Sequence, residues 1–165
     1  MSKRGRQYLG VLFAVVAYYV VHEGAHLVYA LCAGVFKEIK FMGLGMQIDV
    51  YADRMSEVQM GIFCVAGSIA TMIAAYLLVL LAGRIGKHPS KVFKASMYYI
   101  TIAMLLLDPL YLSVLCGLFG GGDMNGISLL TPEFAARMVY GVLLVTNVTV
   151  FLRIVLPTYK VAFQE

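Results

Sequence analysis

Residues 8–33 read YLGVLFAVVAYYVVHEGAHLVYALCA, an apolar run longer than the roughly 20 residues that cross a hydrocarbon core. Inside it stand His22, Glu23 and His26. Two histidines four apart on a helix share one face about a turn apart, so both rings can reach a single ion, and the glutamate between them can act on a water held there. A lone histidine on an apolar face is more simply a buried ring hydrogen-bonded to a neighbour. Two histidines and an acid within one membrane helix are not explained that way. An acid at mid-bilayer costs roughly 2.5–3.5 kcal/mol or more, and a bound divalent cation offsets that cost. The stretch therefore predicts a membrane helix carrying a metal site, with Zn²⁺ as the expected ion.

The composition agrees with a membrane setting. The 165 residues are 61% hydrophobic and 13% charged, with mean hydropathy +0.85, against about 25% charged residues in soluble domains. The chain reads as an α-helical integral membrane protein. Residues 1–6 are basic, but the following apolar run is too long for a signal-peptide core, so no cleaved leader is expected. Cys32, Cys64 and Cys116 are widely spaced in apolar segments and read as small buried hydrophobes rather than a disulfide framework. A net charge of +4 with basic residues at segment ends suits phospholipid headgroups and excludes nucleic acid as the expected partner.

Spans are expected at 8–33, 59–82, 95–119 and 134–156, giving about four transmembrane helices in a single domain over 1–165. Between the first two, residues 36–51 are rich in β-branched and aromatic types. Met46, Ile48 and Val50 alternate there with Gln47, Asp49 and Tyr51 after Gly43-Leu44-Gly45, which predicts a β-hairpin. Asp53-Arg54 forms its polar exit, and Ser56 with Gln59 predicts a capping box at the start of the second span. Gly61, Ala66, Gly67, Ser68, Ala70 and Ala74 make a small-residue face suited to close helix contact. Arg84, Lys87, His88, Lys91 and Lys94 read as a solvated or headgroup-facing loop. Pro109, after Asp108, is expected to kink the third span, and the glycines from Gly117 to Gly126 allow a bend around Asp123. Thr146, Asn147 and Thr149 are read as interhelical hydrogen-bonding groups. Lys and Arg concentrate at the N-terminus, the second loop and the C-terminus, which places both termini in the cytoplasm.

These residues together resemble the site-2 protease family of intramembrane zinc metalloproteases. The resemblance follows chain order: His22-Glu23-Gly24-Ala25-His26, a hairpin, then Ala66-Gly67-Ser68-Ile69-Ala70-Thr71 where the family has Ala-Gly-Pro-x-x-Asn, with Ser68 and Thr71 replacing Pro and Asn. Asp108-Pro109 and Asp123-Met124-Asn125-Gly126 are the nearest equivalents of the family's Asn-Pro and Asp-Gly elements, although Met124 and Asn125 separate Asp123 from Gly126. The resemblance implies Zn²⁺ held by His22, His26 and a third ligand. Asp123 is favoured because a glycine-rich bend precedes it, and Asp108 is the alternative. It also implies a site opening toward the cytoplasm, which would put the N-terminus outside, opposite to the charge distribution.

For peptide hydrolysis Glu23 would act as general base. The expected substrate is a membrane protein whose transmembrane segment unwinds and pairs with a hairpin edge at Met46, Gln47 and Ile48. The surrounding bilayer is expected to be a prokaryotic cell membrane. The alternative is a catalytically silent zinc-binding membrane protein or a metal transporter using the same ligands.

Overall fold

The computed structural model describes residues 2–42, 45–118 and 120–164. Helix α1 (Lys3–Cys32) is followed by strands β1 (Phe36–Met42) and β2 (Gly45–Val50), a 3₁₀ turn at Ala52–Arg54, and helix α2 (Glu57–Gly86). Helix α3 (Lys91–Leu110) continues through a π turn (Tyr111–Leu115) and a 3₁₀ turn (Cys116–Leu118). Then come a single short turn, α4 (Asp123–Ile127), helix α5 (Glu133–Val150), a π turn (Phe151–Val155) and α6 (Leu156–Gln164). Four spans, Lys3–Cys32, Glu57–Gly86, Lys91–Leu118 and Glu133–Gln164, are long and apolar enough to cross a membrane. Each starts somewhat earlier than its expected bound. Serine side chains account for three of those starts: Ser2 accepts from Gly5, Ser90 from Phe93, and Ser56 with Gln59 forms the expected capping box. Phe119, the expected end of the third span, lies outside the described residues.

Outward faces are apolar. On α1, Val11, Leu12, Phe13, Val15, Val16 and Val20 are all exposed, as lipid contact allows. Inside, α1 packs on both α2 and α3, and α5 on α3. One apolar cluster beneath the hairpin gathers Ala30, Ile48, Phe63, Leu112, Met124 and Tyr140, and a second at the other end gathers Ala75, Met104, Leu105, Val155 and Tyr159.

Pro109 does not end its helix. Its ring nitrogen cannot donate to the Leu105 carbonyl, and the Asn147 side chain on α5 supplies that donor at 2.7 Å. Asn147 also accepts from Tyr76 on α2 at 2.8 Å, so it links three helices as expected. Thr146 and Thr149 instead donate to carbonyls of their own helix. Another departure is Lys94, read as part of a solvated loop: it is only 4% exposed, and its ammonium donates to the Ala162 carbonyl on α6. The helix begins earlier than expected, at Lys91, and carries Lys94 inward.

The strands pair antiparallel, with Ile39 opposite Ile48 and Lys40 opposite Gln47, and with an irregularity between Phe36 and Glu38. Gly43 and Leu44 of the expected turn lie outside the described residues. Asp49 meets Lys37 at 3.0 Å and Lys40 at 2.6 Å across the ladder, and these ammonium groups hold its carboxyl down to about 2. All three cysteines are free; Cys64 and Cys116 are buried, whereas Cys32 is exposed.

Candidate metal centre

Helix periodicity places Tyr18, His22 and His26 on one face of α1 at successive four-residue steps, and that face meets α2 and α3. His26 Nδ1 lies 2.8 Å from the Phe63 carbonyl. A carbonyl only accepts, so Nδ1 carries the proton and Nε2 of the neutral ring is left with its lone pair. His22 Nδ1 lies 3.2 Å from Asp108 Oδ1, and the same reasoning leaves its Nε2 unprotonated.

Both Nε2 atoms point at one spot. They are 3.2 Å apart, and Asp123 Oδ2 lies 3.2 Å from the first and 3.4 Å from the second. Three lone-pair acceptors in mutual contact repel unless a cation sits among them. Donors bound to zinc at about 2.0–2.1 Å in a tetrahedron stand about 3.3–3.4 Å apart, which is the spacing found. His22, His26 and Asp123 thus form a largely buried group that could hold a metal ion. Two neutral imidazoles and a carboxylate are the forms in which these side chains bind a metal.

The approach of α2 depends on Gly67. A Cβ there would stand 2.6 Å from His26 Nε2 and 2.7 Å from His22 Nε2, so any side chain would displace the rings. Asp123 depends on Gly122, whose φ of 49° belongs to the left-handed region that glycine enters without penalty. That turn aims the first residue of α4 back at α1.

Asp108, the alternative ligand, occupies a different place. It is 2% exposed and accepts from Tyr18 of α1, Thr71 of α2 and His22 Nδ1. Such a carboxylate fixes the orientation of the ring it contacts and raises its basicity as a ligand. The burial of Asp108 is compensated by three donors from two other helices. Tyr18 also stacks on His22, with centroids 5.3 Å apart. Sequence reasoning did not single out Tyr18, though its four-residue offset from His22 was a usable signal. The Phe63 carbonyl carries no sequence signal at all. Ser68 takes no part in the ligand group and bonds to Tyr140 at 2.7 Å.

Glu23, on the neighbouring face of α1, accepts from the backbone N–H of Ile48 at 3.1 Å. Strand β2 therefore turns the edge not paired with β1 toward the candidate ligand group. Met46, Gln47 and Ile48 line, with His22, Glu23, Asp108 and Asp123, a cleft of about 790 Å³. Ile48 is itself 3% exposed, its side chain inserted in the apolar cluster beneath the hairpin. Compared with protein-family models, with curated proteins and with solved structures, the chain matches none.

Proposed function

We propose that this protein is an intramembrane zinc metalloprotease that hydrolyses a peptide bond in or near a transmembrane segment of another membrane protein. The observation that carries the proposal is a carboxylate, Glu23, set beside three converging metal ligands and against a free strand edge in one cleft. His22, His26 and Asp123 would hold the ion. When bound, zinc polarises a carbonyl and lowers the pKa of water.

The residues of the chain do the rest. Glu23 takes a proton from the attacking water as its oxygen bonds to the scissile carbonyl carbon, then passes that proton to the departing amine as the C–N bond breaks. Asp108 holds His22 in the tautomer that presents Nε2 to the ion. The outer edge of β2 offers main-chain groups to an extended peptide, which fixes the substrate backbone whatever its side chains. A helical segment cannot be cut while its amide is enclosed and hydrogen-bonded, so unwinding against β2 supplies the reactive form. The termini and the α2–α3 loop share one membrane face, and their basic residues favour the cytoplasm for that face.

The test uses the full chain reconstituted in vesicles with a panel of single-span membrane peptides, cleavage products being read by mass spectrometry and metal by elemental analysis. Glu23→Gln is expected to retain about one zinc per chain and lose cleavage by a factor of about 10² or more. Wild-type cleavage by this variant removes Glu23 as the base. Full zinc retention in both His22→Ala and His26→Ala removes the metal site.

A further inference from the structure

At the end of α1 opposite the hairpin, a second cavity of about 460 Å³ opens between the starts of α1 and α3 and the face of α6. Lys3, Arg6, Lys91 and Lys160 line it, and among the described residues no acidic side chain does. Among the described residues, Lys3, Lys91 and Lys160 make no ion pair. Directly behind the cavity, the buried Lys94 ammonium bonds to the Ala162 carbonyl and lies 6.0 Å from the Phe163 ring centre. The positive ends of two helix dipoles open at the same level. Lys3, Lys91 and Lys160 thus gather positive charge in a partly enclosed space.

The walls narrow the ligand further. The walls of the cavity also carry Tyr98, Tyr99 and Phe163, and Tyr is a side chain enriched where spans meet the membrane–water interface. A phosphate joined to an apolar body satisfies both parts; a free anion satisfies only the rim. We infer that this cavity binds the phosphodiester headgroup of an anionic phospholipid, with the aromatic wall taking its glycerol and first methylenes. Its volume lies in the range of about 300–1,000 Å³ usual for small-molecule sites, and basic pockets between transmembrane helices suit such headgroups. The site stands apart from the metal ligands and does not depend on what they do.

The full chain, purified in neutral detergent, is titrated with phosphatidylglycerol, with phosphatidylcholine of the same chain length, and with inorganic phosphate, and bound ligand is read by native mass spectrometry. Phosphatidylglycerol is expected to bind in preference to phosphatidylcholine. The double variant Lys91→Ala/Lys160→Ala should weaken it about thirtyfold, while Lys37→Ala/Lys40→Ala on the hairpin leaves it unchanged. If the double variant does not fold, the single Lys91→Gln and Lys160→Gln variants, both at exposed positions, should each weaken binding about fivefold. Equal binding of the two lipids, or an unchanged preference in the lysine variants, overturns the inference. Inorganic phosphate that displaces the lipid at comparable concentration also overturns it, by assigning the cavity to a free anion.

Discussion

The candidate metal ligands are positioned by atoms outside their own group, and Gly67 is the clearest instance. The spacing of residues 22–26 announces a candidate metal site, because helix geometry puts the two histidines on one face. That the rings rest against the bare backbone of α2 was not legible, since the contact joins positions more than one span apart. Gly67→Ala brings a methyl inside van der Waals distance of both Nε2 atoms. Overpacking of this kind costs roughly 1–3 kcal/mol, so zinc affinity should fall about tenfold or more while helix content by circular dichroism is unchanged. Gly83→Ala, where a new Cβ meets nothing within 4 Å, is the control. Equal zinc affinity in the two variants would show that the rings can move aside without loss. Asp123 was legible for a related reason: glycines before it announce a bend, although the left-handed turn at Gly122 had to be seen.

Among the elements, the hairpin was readable in advance because its alternation and its flanking polar residues are local signals. What its edge does was less so. The Ile48 N–H faces Glu23, and alternation along a strand directs the Gln47 N–H the other way, toward β1. Proline at these two neighbouring positions is therefore expected to act differently. Gln47→Pro removes a ladder donor and should loosen the hairpin, seen as faster amide exchange across β1 and β2 and a loss of cleavage. Ile48→Pro leaves the ladder donors intact but strips Glu23 of its partner and shortens the edge offered to a peptide, so cleavage should fall while hairpin exchange is little changed. Zinc content should remain normal in both. If both variants cleave at the wild-type rate with zinc bound, pairing with β2 is not the mode of substrate recognition. The π turn after Pro109 and the rescue of the Leu105 carbonyl by Asn147 show what local sequence leaves out: a proline removes a donor locally, and another helix decides how the loss is met.

For the molecule as a whole, hydropathy alone located the four spans, because only continuous helices satisfy their backbone in lipid. Their lateral order was beyond it, since lipid-facing and buried helix faces are both apolar. Lys94 departs from its expected place for a similar reason: a charge near a span end looks solvated until a neighbouring helix is known to cover it. One carboxylate in the interior links three of these spans. Asp108 joins α1 through Tyr18 and His22, and α2 through Thr71, at a single carboxylate on α3. A bilayer that is too thin or too thick is accommodated by tilting spans, at fractions of a kcal/mol per Å of mismatch. Spans fastened at one internal point tilt about that point, so their outer ends travel while the ligand atoms beside the fastening hold their spacing. Zinc affinity is accordingly expected to vary by less than about twofold between short-chain and long-chain phosphatidylcholine bilayers. In Asp108→Asn, where the charge on the fastening is gone, affinity should drop about 10–100-fold and become dependent on acyl-chain length. A wild-type affinity that follows chain length as steeply as the variant's would show that the fastening gives way. Held this way, the candidate metal site is expected to be insulated from the elasticity of the surrounding membrane.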